Sequence, residues 1–301
     1  MTATLRFTKG HGTENDFVLL FDERGDIDLT PELVRYLCDR RAGIGGDGVI
    51  RAIRAGALPG GAGAAGVDAR TWFMDYWNAD GTTSEMCGNG ARVFAAFLER
   101  EAAADLAGGL TIGTRGGTRT LTSLGAGRYA VGMGEHRVGA ASDGFDSEVE
   151  AKGLVPARPA LSVDVGNPHH VVALASTEEL EGLDLTVAPT VTPTPRAGSN
   201  VEFVVTRGGE VRDGVERGRV RMRVHERGSG ETRSCGTGAC AVAIAVRTWA
   251  GPEAPDVWDV EVPGGMVTVR IAGDRTVLEG PAVLVADGEV DVSTVLAGAP
   301  A

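Results

Sequence analysis

Two stretches of this chain carry the residue types and spacing of a thiol active site. In residues 85–97, EMCGNGARVFAAF, Cys87 stands directly ahead of Gly88, Asn89 and Gly90 and of a nearly all-apolar run. In residues 233–245, RSCGTGACAVAIA, Cys235 stands ahead of Gly236, Thr237 and Gly238 and of a second such run. A helix start leaves backbone N–H groups unpaired and carries partial positive charge, so a sulfur held there is stabilised as thiolate and a carboxylate is readily bound. The thiol pKa is expected to fall accordingly. Cysteines this close to apolar helices are ordinarily packing residues; repetition of the whole device favours chemistry. Two thiols working from opposite faces of one carbon can remove a proton on one side and return one on the other. With reacting atoms about 3–3.5 Å from that carbon, the sulfurs would stand roughly 6–7 Å apart. Backbone N–H groups of Gly88, Asn89, Gly236 and Thr237 would hold the substrate carboxylate and the charge that develops beside it.

The elements that must position these cysteines repeat as well. Asn78 precedes Cys87 by 9 residues (87 minus 78) and Glu226 precedes Cys235 by 9 (235 minus 226). The polar turns recur too, Asn15 lying 72 residues before Cys87 (87 minus 15) and Asn167 lying 68 before Cys235 (235 minus 167). Two copies over half the chain each indicate a duplicated domain rather than a solenoid. Each half reads as many short strands and one dominant apolar helix, which a sheet curled around it would bury. In detail, strands are expected at 5–8 and 17–21 around a loop with Asn15 and Asp16 at its tip, and a helix capped by Thr30 from Pro31 to about Arg41. The Gly43–Gly48 turn lacks the ending of a phosphate loop. Residues 55–66, rich in Gly and Ala, read as a mobile surface insertion. In the second half, Asn167, Pro168 and His169 read as a tight polar turn, Asn200 opens the strand NVEFVV, and 260–262 with 266–271 form a hairpin. Two further strands are expected around a turn at Asp287 and Gly288. A pattern break near 134–147 marks the domain boundary, giving 1–132 with the last strand, about 281–301, and 133–280.

Composition narrows the function. The 301 residues are 43% hydrophobic and 23% charged, as in an ordinary globular protein long enough for two cores. A net charge of −12 disfavours nucleic acid and anionic membranes as partners and leaves small molecules. The opening MTATLRFTKGHG has no apolar run of signal-peptide length, so a cytoplasmic protein is expected. Cys38 and Cys240 read as packing residues, and no cysteine pair or histidine cluster suggests a metal. Lys9 and Lys152 are the only lysines, which leaves few anchors for a Schiff-base cofactor. No cofactor is expected.

Along nearly its full length the chain resembles the diaminopimelate epimerases. KGHGTENDFVLL, GIGGDG, NADGTTSEMCGNGAR, VGNPHHVV, NVEFV, ERGSGETRSCGTGAC, VPGGMVTV and EGPAVLV fall in that family's order, and the two cysteine blocks are the most specific. The resemblance implies an α+β fold of two pseudo-symmetric domains, each a mixed or antiparallel β-barrel-like sheet wrapped around a central helix, with the last strand returning to the first domain. It implies interconversion of LL- and meso-diaminopimelate for lysine and peptidoglycan synthesis, without pyridoxal phosphate or metal, by a homodimer. Carried over by position, Cys87 and Cys235 are the catalytic thiols, one thiolate and one thiol at rest, with Cys235 the base for the LL isomer. His169 would assist Cys87 and Glu226 would assist Cys235. Asn15, Asn78, Asn167, Asn200, Glu226 and Arg227 would grip the substrate, Arg227 through a bidentate contact to the distal carboxylate. His170 is left as a turn residue. Gly48 departs from a glutamine common in the family, and Glu14 from a common glycine. Racemisation of proline or histidine on the same scaffold is the nearest rival; Arg227 with the asparagines suits a substrate bearing a second amino-acid end. A phenazine-type isomerase would carry a carboxylate in place of the cysteines, and a plain binding module would show no exchange at an α-carbon. Two activated thiols are also expected to close into a disulfide under oxidising conditions.

Overall fold

The structure is a computed structural model and describes residues 4–61, 66–139 and 144–296. It divides into two compact units, one of Met1–Val131 with Pro281–Ala301 and one of Gly132–Gly280.

In the first unit Thr4–Gly12 pairs antiparallel with Asn15–Phe21, which runs parallel to Gly48–Arg54; the sheet continues antiparallel to Trp72–Asn78, parallel to Leu110–Thr114, then antiparallel to Gly117–Gly125 and Arg128–Glu135. Helix α1 (Pro31–Cys38) links the second strand to the third, and helix α2 (Gly88–Glu101) the fourth to the fifth. Val283–Asp291 closes the edge against Thr4–His11. In the second unit Arg158–Asp164 pairs antiparallel with Pro168–Ala173, which runs parallel to Asn200–Arg212; Val215–Glu226 follows antiparallel, Val257–Val262 parallel, and Gly265–Ala272 and Arg275–Pro281 antiparallel. Helices α3 (Thr177–Glu181) and α4 (Gly236–Ala250) occupy the same two crossovers. These pairings follow the same order in the two units, so the duplication legible in the cysteine blocks extends through the shared strands of both.

Both long helices are enclosed by strands of their own unit. Gly88–Leu98 of α2 is buried throughout, packed on Thr4–Gly12, Asn15–Phe21, Gly48–Arg54, Gly117–Gly125 and Val283–Asp291. In α4 only Thr237 interrupts the burial of residues 236–246, which pack on the five strands from Arg158–Asp164 to Val257–Val262 and on Gly265–Ala272. A helix apolar on all sides has no solvent face to offer, so curling the sheet around it is what removes its surface from water. Each fully buried Val, Phe or Leu contributes about 1.5–3 kcal/mol to that enclosure. The expected α+β architecture holds.

Local departures have local causes. Helix α1 starts as expected, with Thr30 Oγ1 accepting from Leu33 N at 3.3 Å, but stops at Cys38 rather than near Arg41. Asp39 takes an extended conformation, and its carboxylate captures the N–H groups of Arg41 and Ala42, both at 2.7 Å, in a turn that competes with the helix. His169 and His170 lie in the strand Pro168–Ala173 rather than in a turn; the reversal is made by residues 165–167, with Gly166 at φ 100°. Asp287 and Gly288 sit inside the continuous strand Val283–Asp291. Gly288 faces Phe7, whose ring would lie 2.8 Å from any β carbon there, so this glycine permits a close approach rather than a turn. The flanks of the Gly/Ala-rich insertion are packed, Ala55 and Leu58 joining Ile53 and Phe73 in a small apolar cluster; residues 62–65 of that insertion and 140–143 of the expected boundary lie outside the described residues. Among the described residues no helix is long and apolar enough to cross a membrane.

Candidate active site

Each cysteine is the N-cap of its long helix. Cys87 has φ −133° and ψ 123°, and its sulfur accepts from Gly90 N at 3.4 Å; Cys235 has φ −120° and ψ 115°, and its sulfur accepts from Gly238 N at 3.3 Å. An N-cap side chain normally satisfies one of the orphan N–H groups of the first turn, and here the acceptor is sulfur. Among the described residues neither cysteine is in a disulfide, and nor are Cys38 and Cys240. Cys38 is buried and its thiol is pushed up to about 12 by that burial, which suits a packing role.

Around Cys87 the neighbours are amides. The thiol donates to Asn15 Oδ1 at 3.6 Å, and Asn89 Nδ2 donates to the same oxygen at 3.2 Å. Asn15 is held from behind by Asp47, its Nδ2 donating to the carboxylate at 2.6 Å, while Arg40 pairs with both Asp47 at 2.8 Å and Asp16 at 2.7 Å. Beneath the loop lies Arg92, fully buried, which donates to Asn89 Oδ1 at 2.9 Å, Thr13 Oγ1 at 3.1 Å and the carbonyls of Gly88 and Pro281. Asn78, at the end of its strand, uses Nδ2 on Thr82 Oγ1 at 3.1 Å and lies opposite Gly48 in the sheet. Gly48 has no room for a side chain, since a β carbon would meet the Trp77 carbonyl oxygen at 2.4 Å. A glutamine there requires a different backbone.

Around Cys235 the neighbours are carboxylates. Cys235 is 5% exposed and its thiol is pushed well above the ordinary range, by burial first and then by the charges of Glu226 and Glu202; hydrogen bonds from Thr237 and Gly238 pull the other way and lose. The expectation that a helix start lowers the thiol pKa therefore fails at Cys235. Desolvation of a fully enclosed sulfur beside two acids outweighs a helix terminus whose effect is about 1–2 kcal/mol. Glu226 is likewise raised, mainly by burial and by Glu202, against hydrogen bonds from Thr232 and Cys235 and the charge of His169. The thiol and this carboxyl are hydrogen-bonded neighbours, both biased towards keeping a proton.

His169 is fully buried, with Nδ1 2.6 Å from Glu202 Oε1 and Nε2 3.0 Å from Asn167 Oδ1. Asn167 Nδ2 reaches Thr237 Oγ1 at 3.4 Å, which ties this chain of contacts to the start of α4. Asn200 lies in the same group, its Oδ1 accepting from Arg227 N at 3.0 Å and its Nδ2 donating to the Pro168 carbonyl at 3.1 Å. Arg227 is exposed and its guanidinium rests on the Ala197 carbonyl at 2.5 Å. His170 is set apart, its Nδ1 2.6 Å from Ser199 Oγ, with burial lowering its pKa.

Within the first unit, Asn15, Gly88 and Asn89 thus gather at Cys87. Within the second, Asn167, His169, Glu226, Gly236 and Thr237 gather at Cys235, with Asn200 beside them. Sequence reasoning missed Glu202, Arg92, Asp47 and Thr232. Two of these had a readable signal, because Glu202 interrupts the apolar strand NVEFVV and Arg92 the apolar helix NGARVFAAF, and a charge in such a run is buried with partners. Among the described residues no three His, Cys, Asp or Glu side chains gather as metal ligands.

The family model for diaminopimelate epimerase matches residues 7–138 and 161–285. The diaminopimelate epimerase of Streptomyces coelicolor is 44% identical over 299 residues, covering 97% of each chain, and that of Rhodococcus jostii is 44% identical over 298 residues, covering 95% of this chain and 96% of the relative. Among solved structures, a hydroxyproline epimerase from Agrobacterium vitis with bound trans-4-hydroxy-L-proline superposes with a TM-score of 0.64 at 14% identity, covering 100% of this chain and 97% of that one. A phenazine biosynthesis protein of the PhzF family from Bacillus anthracis gives 0.62 at 14% identity, covering 96% and 99%. At such identities the two structures share the fold and nothing further follows from them. The match of the family model to both units, together with relatives 44% identical from end to end, places this chain in the diaminopimelate epimerase family.

Proposed function

We propose that this protein is a cofactor-independent isomerase that interconverts LL- and meso-diaminopimelate, using Cys87 and Cys235 as a matched acid and base on one α-carbon. The observation that carries the reading is the duplicated cysteine N-cap, two sulfurs in the same backbone setting at the starts of two enclosed helices. The compact units 1–131 with 281–301 and 132–280 are read as the two domains of the duplicated fold.

The chemistry follows from proton bookkeeping. Cys235 rests as a thiol, so it becomes a base by passing its proton to Glu226, whose raised pKa fits it to accept one. The thiolate then takes the α-proton from one face while the Cys87 thiol delivers its proton to the other, leaving Cys87 as thiolate. In the reverse direction Cys87 removes the proton and Cys235 donates. Backbone N–H groups of Gly88, Asn89, Gly236 and Thr237 hold the α-carboxylate and the carbanion charge. Asn15, Asn78, Asn167, Asn200 and Arg227 hold the remainder of the substrate, and His169 assists Cys87. A carboxylate-bearing amino acid with a second amino-acid end is the substrate class these groups fit. The resemblance extends the reading to a homodimer in the cytoplasm, which sedimentation of the purified protein and cell fractionation check.

The test is incubation with LL-diaminopimelate in D2O. The meso isomer carrying one α-deuteron is expected, with Cys87→Ala and Cys235→Ala each slower by about 10³-fold or more. Absence of deuterium at the α-carbon, or faster racemisation of a monocarboxylic amino acid such as proline, overturns the assignment.

A further inference from the structure

The duplication supplies an internal control for residues that surround a cysteine-capped helix without touching a substrate. Under the start of α2, Gly90 approaches Phe17, Ile50 and Met74, whose side chains would lie 3.4, 3.0 and 3.0 Å from a β carbon at that position. Under the start of α4, Gly238 approaches Glu202, whose Oε1 would lie 2.7 Å from a β carbon. The pairings make these positions equivalent. Phe17 faces Gly48 and Leu19 faces Ile50 across the first unit's parallel pair; His169 faces Asn200 and Val171 faces Glu202 across the second's. His169 therefore stands where the first unit has Phe17, and Glu202 where it has Ile50. All four side chains are fully buried.

An apolar pair is thus enough to pack this place in the fold. Exchanging it for an acid and an imidazole costs desolvation that only a close pairing offsets, and replacing a buried ion pair by apolar residues is often neutral or stabilising. The pairing is close, Nδ1 to Oε1 being 2.6 Å, yet among the described residues Glu202 Oε2 is buried with no hydrogen-bond partner. Stability alone does not explain a half-satisfied buried carboxyl under the cysteine loop.

We propose that Glu202 is a positioning residue whose carboxylate accepts the Nδ1–H of His169 and holds the ring so that Nε2 is directed at Asn167 and the start of α4. A carboxylate behind an imidazole fixes which nitrogen carries the permanent proton and frees the other for exchange. Carboxylate, imidazole, amide and Thr237 then form one continuous chain from the strand Asn200–Arg212 to the helix that carries Cys235. The inference rests on the epimerase reading for its consequence in catalysis, but its geometry belongs to the second unit alone.

The test uses 15N-labelled full-length protein and spectra that report each imidazole nitrogen, with His169 identified by the signals lost in His169→Asn. Nδ1 of His169 is expected to carry the ring's permanent proton, with exchange at Nε2. Glu202 is in direct contact with Nδ1, and Glu226 and the neighbouring His170 face the ring as well. In Glu202→Gln, where a neutral acceptor replaces the charged one, the Nδ1–H proton signal is expected to move upfield. Epimerisation should lose about 10–100-fold in kcat with KM little changed. Glu202→Asp keeps the charge and should restore most of the signal's position. A wild-type His169 with its proton on Nε2 and none on Nδ1, or an unchanged Nδ1–H signal in Glu202→Gln, overturns the proposal, and the wild-type measurement needs no variant to fold. Failure of the functional reading has a different signature, since His169 then behaves as described while wild-type protein incorporates no α-deuterium.

Discussion

The starts of α2 and α4 use one backbone device with different neighbours. Both cysteines take extended N-cap angles and accept from the amide three residues on. Beside Cys87 stand the neutral amides of Asn15 and Asn89, with Asp47 behind Asn15 and paired with Arg40. Beside Cys235 stand Glu226 and Glu202, which hold its proton on. The helix terminus therefore positions a thiol, while residues brought in by neighbouring strands decide its charge. An acid and base pair needs one thiol to give up its proton while the other keeps it, and the strand ends at Asn78 and Glu226, equivalent in topology, provide the difference.

Glu226→Gln breaks that asymmetry most directly and carries the largest expected effect. The amide cannot receive the Cys235 proton, so α-deuterium exchange should fall about 10²–10⁴-fold. Stability should respond in the opposite sense. Glu226 has a folded-state pKa raised above its unfolded value, so the stability linked to its proton is fully present below the unfolded pKa and is lost as pH rises through the folded one. A neutral amide escapes that loss, and urea unfolding should show Glu226→Gln gaining on wild type as pH rises. The first unit offers the mirror case in Asp16. Burial raises its pKa, but Arg40 and Lys9 outweigh burial and hold it well below the usual carboxylate range. Its contribution is present above the unfolded pKa of about 3.9 and disappears as pH falls through the folded value. Asp16→Asn should therefore cost stability at neutral pH and lose that effect in strong acid. A Glu226→Gln protein with wild-type exchange would remove the electrostatic distinction between the two helix starts.

How much of this was legible in the sequence follows from which forces leave local traces. The cysteine blocks and the enclosed helices were readable because glycine, sulfur and a solid apolar run have few alternative meanings, and the even 9-residue offsets of Asn78 and Glu226 exposed the duplication. The charge state of Cys235 was not readable, because Glu202 arrives from a strand more than thirty residues away and only the parallel pairing with Pro168–Ala173 brings it under α4. His169 was misplaced into a turn for a related reason. Gly166 and Asn167 alone suffice for the reversal, and the polar residues after Pro168 enter the sheet because Glu202 pairs with His169 and Ser199 with His170 there. Asp287 and Gly288 imitate a hairpin turn in sequence, yet Thr8 and Arg100 bond the aspartate and Phe7 covers the glycine.

Stability should separate the two helix starts as well. Aligning the cysteines places Arg92 opposite Cys240, both fully buried in the second turn of their helices. Arg92 braces the Cys87 loop through Asn89, Thr13, Gly88 and the Pro281 carbonyl at the end of the strand Arg275–Pro281. Hydrogen bonds to a charged group are worth about 1.5–3 kcal/mol each, and removal also orphans buried acceptors. Arg92→Leu should cost about 3–5 kcal/mol in urea unfolding, whereas Cys240→Ala, which deletes a single buried sulfur, should cost about 1 kcal/mol. Comparable losses at the two positions would mean that the hydrogen bonds of Arg92 add nothing to the hold on the Cys87 loop.

The smallest expected effect concerns the turns that carry the two asparagines. In the second unit the reversal before Asn167's strand places Gly166 at φ 100°, where glycine is unstrained. In the first unit the two-residue turn between Gly12 and Asn15 places Thr13 at φ 51° and Glu14 at φ 63°, left-handed conformations that cost an L residue about 1–2 kcal/mol each. Thr13 is tied in place, buried with its hydroxyl on Arg92, whereas Glu14 is exposed. Its backbone N–H donates to His11 Nδ1 at 3.2 Å, a contact that glycine would keep. Glu14→Gly relieves the strain but adds freedom to the unfolded chain, so a net gain of about 0.5–1 kcal/mol is expected, with exchange at the α-carbon unchanged. If stability rises while exchange falls, the strained turn is holding Asn15 against Cys87 in a way that the relaxed Gly166 turn does not hold Asn167 against Thr237, and the two helix starts differ in rigidity as well as in charge.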